Sequence, residues 1–155
     1  MDNDQQRSFS VYVIDEDQID PALDEVIRTL LCVCFPSDAK AFWANRAWNN
    51  ARPAFSVIGR NGDEVVAQVG IVERQITCGA PLRVAGIQSL AVAPEMRGSG
   101  LSQRLMTTAM NEARRRGILA ALLFAGGDGR ANRGRQRPGG AAAVGEAGRV
   151  RPRRR

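Results

Sequence analysis

Leu90-Ala91-Val92-Ala93-Pro94-Glu95-Met96-Arg97-Gly98-Ser99-Gly100-Leu101-Ser102 reads as a strand that runs into a glycine-bearing turn, and the turn opens a helix. The first amides of a helix have no intrahelical partner, and the aligned peptide dipoles add partial positive charge there. Gly98 and Gly100 let the main chain approach an anion with no side chain between, and Arg97 adds a fixed charge. A pyrophosphate suits that chemistry. Neither common nucleotide fingerprint is present: no Lys-Ser/Thr pair follows, and the glycine spacing is not G-x-G-x-x-G. On glycine spacing alone, a purely structural loop stays open as the alternative.

Downstream of the turn, Leu101, Leu105, Met106, Ala109, Met110 and Ala113 form an apolar stripe, so a helix is expected over about Gly100–Arg116. Arg114, Arg115 and Arg116 complement its C-terminal dipole, and Gly117 suits a left-handed cap. Ile118–Phe124 reads as an apolar strand. Upstream, Phe55–Arg60, Glu64–Thr77 and Leu82–Val92 read as a three-stranded antiparallel meander. Asn61-Gly62 and Cys78-Gly79-Ala80-Pro81 serve as its turns. Near the N-terminus, Phe9–Ile14 alternates as a first strand. Asp20-Pro21 then starts a helix with an N-cap and a proline at the first helical position. Leu23, Val26, Ile27, Leu30, Leu31 and Cys34 fall on one face of that helix. Ser37–Pro53 is less regular. Its Trp43 and Trp48, with Phe55, are read either as core or as lining for an acceptor pocket.

After Phe124 the composition changes. Residues 125–155 contain no Leu, Ile, Met, Phe, Trp or Tyr and are built almost entirely from Gly, Ala, Arg and Pro. Such a stretch buries too little apolar surface to offset its ordering entropy, so disorder is expected there. The domain reading is therefore 1–124 for an incomplete globular unit and 125–155 for a tail. The chain has one Lys against 21 Arg, as GC-rich coding gives, and a shift of reading frame near Ala125 is the expected origin of the tail.

The net charge of +6 belongs to that tail: residues 1–124 carry 13 Lys and Arg against 14 Asp and Glu. No folded basic face is therefore implied, and nucleic acid is not the expected partner. With no histidine, metal chemistry and Ser-His or Cys-His catalysis are not expected. Cys32, Cys34 and Cys78 make no disulfide framework. No apolar run spans a membrane and the N-terminus is not a secretory signal, so a cytoplasmic protein is expected.

Taken together, Leu90-Ala91-Val92-Ala93-Pro94 followed by Arg97-Gly98-Ser99-Gly100-Leu101-Ser102 resembles the acyl-CoA motif of the GNAT acyltransferase superfamily. Ser102 stands where that motif has Gly or Ala. The resemblance spans about residues 9–124. Arg46-Ala47-Trp48, Ala51–Phe55 and Ile58-Gly59 look like the rhizobial nodulation N-acyltransferases, which acylate a chitooligosaccharide amine. The long strands over 64–92 resemble aminoglycoside 2'-N-acetyltransferases.

The resemblance implies an α+β GNAT-like fold, with a mixed, mainly antiparallel sheet flanked by helices and truncated at its C-terminus. It implies direct transfer from acetyl-CoA or another acyl-CoA to a small-molecule amine, an amino sugar among the candidates. No metal or membrane enters, and a homodimer is compatible. Leu90, Ala91 and Val92 would bind the thioester and pantetheine arm, and Arg97, Gly98, Ser99, Gly100, Leu101 and Ser102 the pyrophosphate. Glu73 is the first candidate for the base, with a solvated pair to Arg74 or Arg83 as the plain alternative. Gln88 and Ser89 could position a water instead. The family's C-terminal tyrosine acid has no counterpart, since Tyr12 on the first strand is the only tyrosine. The alternatives are an impaired remnant that binds CoA weakly, and an anion or nucleic-acid binder acting through the Arg-rich tail.

Overall fold

A computed structural model describes residues 9–46 and 51–123. Trp48 and the segment 125–155 lie outside the described residues.

Five strands form one sheet in the order β1 (Phe9–Asp15), β2 (Phe55–Asn61), β3 (Glu64–Cys78), β4 (Ala80–Val92) and β5 (Ala120–Leu123). The first four run antiparallel, β2 to β4 through short hairpin turns and β1 to β2 across the helix-bearing segment 16–54, and β5 runs parallel to β4 after a helical crossover. The meander is as expected, with its turns shifted. Asn61 already pairs with Glu64, so the two-residue loop is Gly62-Asp63. Cys78 pairs with Ala80 across Gly79, so β4 begins two residues before Leu82.

Helix α1 (Pro21–Cys34) starts as its sequence dictates: the Asp20 carboxylate accepts from the Leu23 amide at 2.8 Å, and Pro21 occupies the first position. Ile27, Leu30 and Leu31 are buried, but Val26 is 44% exposed and lies off the expected core stripe. A short helix α2 (Ala39–Ala44) buries Phe42 within the stretch that reads as irregular; six residues are too few to show a helical period. Phe55 is core, whereas Trp43 is 55% exposed.

Arg46, at the end of the first described segment, is buried between two carboxylates, those of Glu16 and Asp24. Asp24 also pairs with Arg28 along α1. Partial burial opposes ionisation of Asp24, but hydrogen bonds from Arg28 and Arg46 outweigh it and hold the carboxyl below its usual range.

Helix α3 (Leu101–Arg115) packs Leu101, Leu105, Ala109 and Ala113 on the sheet, one residue per turn. Burial of each of the two leucines contributes about 1.5–3 kcal/mol, and of each alanine methyl about 0.8 kcal/mol. Its first turn comes close to β2, because a Cβ on Gly59 would lie 3.3 Å from Leu101 Cδ1 and 3.2 Å from Ala67 Cβ. At the other end the Gly117 amide donates to Arg114 and the Ile118 amide to Ala113, with Gly117 at φ +78°. This double cap occupies Ile118, so β5 begins at Ala120 rather than at 118. Arg116 binds Asp15 and Glu112 and lies 4.3 Å from the centre of the Phe55 ring, fastening the end of α3 to β1 and β2.

Candidate functional site

The end of β4 is not a regular strand. Gln68 pairs with Ala91 and Gly70 with Gln88, so two residues of β4, Ser89 and Leu90, stand opposite the single residue Val69. This β-bulge re-aims the strand beyond it. Ser89 sits at φ +54°, a left-handed conformation uncommon outside glycine, and the Gln68 side-chain amide donates to its carbonyl. The extra residue leaves no signature in the sequence, where 82–92 reads as plain strand.

Beyond the bulge, Pro94–Met96 makes one short 3-10 turn, and Gly98 and Gly100 both take φ +77°. Nothing lies within 4 Å of a Cβ placed on either glycine, so backbone conformation, not crowding, demands glycine at both. Gly100 caps α3, and no side chain hydrogen-bonds the helix start. The Ser99 hydroxyl turns back to the Met96 carbonyl at 2.7 Å instead. The amides that open α3 are therefore left for water or a ligand.

Leu90, Ala91, Val92, Arg97, Gly98, Gly100, Leu101 and Ser102 together line a cavity of about 320 Å³. The sequence assigned all eight to one site. Three further residues join them: Met96, and Cys34 and Phe35 from the end of α1. Nothing in the sequence links Cys34 to Val92, 58 positions away, yet its thiol donates to the Val92 carbonyl at 3.4 Å. Burial pushes the Cys34 thiol above its ordinary pKa, against the opposing effect of Arg97. Phe35 is braced by the buried Phe42, ring centres 5.6 Å apart.

Four candidates do not reach the cavity lining: Ser99, Glu73, Gln88 and Ser89. Glu73 is exposed on the outer half of β3, across from Ala85, and pairs with Arg83 at 2.6 Å. That hydrogen bond holds its carboxyl below the usual range, the opposite of what a base working near neutrality needs. The plain alternative for Glu73, a solvated ion pair, is what the structure shows. The Gln88 amide is spent on the Ala51 carbonyl at 2.9 Å. The Ser89 hydroxyl lies in the bulge, buried and without a hydrogen-bond partner.

Residues 20–129 match the family model described as the acetyltransferase (GNAT) domain. Nodulation protein A from Rhizobium sp. (strain N33) is 40% identical over 65 residues, 41% of this chain and 33% of that protein. Nodulation protein A from Bradyrhizobium elkanii is 37% identical over 78 residues, 48% of this chain and 37% of that protein. The matched stretch is thus little more than a third of these relatives. A GCN5-related N-acetyltransferase from Kribbella flavida superposes with a TM-score of 0.57 at 25% identity, covering 77% of this chain and 31% of that one. A GNAT family acetyltransferase from Brucella melitensis, solved in complex with acetyl-CoA, gives 0.59 at 17% identity and covers 77% of this chain and 78% of that one. Uncapped helix, paired left-handed glycines and bulged neighbouring strand thus occur in a chain that belongs to the GNAT acetyltransferase family.

Proposed function

We propose that this chain binds an acyl-CoA in the cavity between the end of β4 and the start of α3 and transfers the acyl group directly to an amine. The observation that carries this reading is the uncapped start of α3 behind Gly98 and Gly100, opening on the cavity. The amides of Gly98 to Ser102 and the exposed Arg97 fit a pyrophosphate. Main-chain groups of Leu90, Ala91 and Val92 fit the amides of a pantetheine arm. Acyl-CoA supplies the electrophile, a thioester carbonyl. An amine nitrogen attacks that carbon, the C–S bond breaks, and the CoA sulfur leaves with a proton. A backbone N–H at the bulged strand stabilises the oxyanion. Neither Glu73, paired with Arg83, nor the buried Ser89 hydroxyl reaches the cavity, so in this reading the amine enters as its free base, its ammonium proton already lost to solvent. The acceptor class we infer is an amino sugar or another small-molecule amine. Residues 1–124 form the transferase unit in this reading, and 125–155 a basic appendage outside it.

A second reading rests on a specific observation: no carboxylate lines the cavity among the described residues. The chain then binds CoA esters without turning them over. Calorimetric titration with acetyl-CoA and a long-chain acyl-CoA, followed by thiol release in the presence of glucosamine, separates the two. Binding with amine-dependent thiol release supports the first, and binding without release supports the second. No heat with either ester removes both.

A further inference from the structure

β3 is buried without a break over residues 66–72, and Gln68 is the one polar side chain in that run, 2% exposed. A primary amide in such a place gives up its hydrogen bonds to water and needs a partner in exchange. The partner is the Ser89 carbonyl, to which the Gln68 Nε2 donates. Ser89 stands where the β3–β4 ladder is interrupted: Gln88 faces Gly70 and Ala91 faces Gln68, with Ser89 and Leu90 between them outside the register. It is also the one non-glycine residue at positive φ among the described residues. Pairing resumes at Ala91 and Val92, and the Ala93 amide donates to the Val66 carbonyl at 2.8 Å. The strand is thus fixed on both sides of the bulge by its ladder, and within the bulge by the Gln68 side chain.

We propose that Gln68 is the positioning residue of the acyl-CoA site, an inference that rests on the reading of that site given above. The Ser89 carbonyl and the Leu90 N–H belong to one planar peptide and point in opposite directions. Holding the carbonyl therefore fixes the direction of the Leu90 N–H, and Leu90 is the first of the three β4 residues that line the cavity. Gln68 itself lies outside the lining and acts through Ser89. Without its hydrogen bond, Ser89 is free to leave φ +54° for the extended region that a serine prefers, and the peptide turns with it. Glycine has no such preference, because it takes positive and negative φ about equally well. Gln68 and the residue type at position 89 are therefore coupled: the amide is needed because position 89 is not glycine.

A double-mutant cycle read as acetyl-CoA affinity tests this, with calorimetry on the full chain at a temperature where urea titration shows every variant folded. Gln68→Met keeps the length of the side chain and removes the donor. It weakens acetyl-CoA binding by about tenfold in the native background, the effect of one hydrogen bond. In the Ser89→Gly background the same change costs less than about threefold, and that difference is the coupling. Where Gln68→Met does not fold, Gln68→Asn takes its place: it keeps a buried amide but draws the donor one methylene back from Ser89. A side chain that only filled the core would lower the urea midpoint and leave the affinity of the folded chain alone. Unchanged affinity in a folded Gln68 variant overturns the proposal, and so does an equal loss in both backgrounds. A native chain that binds no acetyl-CoA removes the acyl-CoA reading and this inference together, whereas a native chain that binds beside variants that bind equally well removes this inference alone.

Discussion

Cys34 and Arg97 share one acceptor: the thiol of Cys34 and the Nε of Arg97 lie 3.4 and 3.5 Å from the carbonyl oxygen of Val92. The end of α1 and the turn before α3 are thus both tied to the last residue of β4. The sulfur contact is of ordinary length, while 3.5 Å is long for a guanidinium donor. Arg97 is exposed and held loosely, and it can leave Val92 for an anion at little cost.

Arg97→Ala therefore separates binding from folding. Loss of one charge-assisted contact, about 1.5–3 kcal/mol, weakens acetyl-CoA binding by at least about tenfold and flattens its salt dependence. The melting temperature stays within about a degree, as for most surface substitutions. Calorimetry at two salt concentrations and a thermal melt check both parts.

The cysteines give a second test. Cys78 is exposed, whereas Cys34 is part-buried with its thiol pKa raised by burial, and only the thiolate is the nucleophile. At neutral pH a maleimide labels Cys78 first and Cys34 slowly. Saturating acetyl-CoA slows Cys34 further and leaves Cys78 unchanged. Peptide mapping after timed quenching reads the two rates.

Replacing Gly100 tests the backbone argument. Gly100→Val forces a β-branched residue to φ +77° and costs about 1–2 kcal/mol of stability, read as a lower urea midpoint. Affinity for acetyl-CoA falls as well, because relaxing that dihedral turns the first amides of α3 away from the cavity. A variant with full affinity contradicts the assignment of this turn.

Glu112 sets a pH window. Hydrogen bonding by Arg115 lowers its pKa from the ordinary 4.5 to about 2; burial opposes this and Arg116 adds to it. A carboxylate with a depressed folded pKa stabilises the protein above its unfolded value, and the contribution fades as pH falls through the folded one. Urea midpoints of the native chain and Glu112→Gln therefore differ at pH 7. They converge between pH 4.5 and about 2.

The strands, both long helices and the eight cavity residues at 90–92, 97–98 and 100–102 were legible because their signals are local. Alternation marks β1 to β4, Asp20-Pro21 marks a helix start, and glycines mark the turn. What stayed hidden depends on partners distant in sequence. Cys34 and Phe35 reach the cavity only because α1 packs against β4. The bulge at Ser89 and Leu90 emerges only from register against β3. For Glu73 the sequence leaves a base and a pair to Arg74 or Arg83 both open, and only the register of β3 against β4 selects Arg83.

The bulge in β4 has a bearing on how such a site ages. One additional amino acid shifts the strand's alternation, and the grip proposed above relies on peptide groups rather than on particular side chains. Point mutations exchange side chains but cannot delete an amide. Recognition built this way outlasts heavy sequence divergence, as long as the two glycines and the kinked strand end survive.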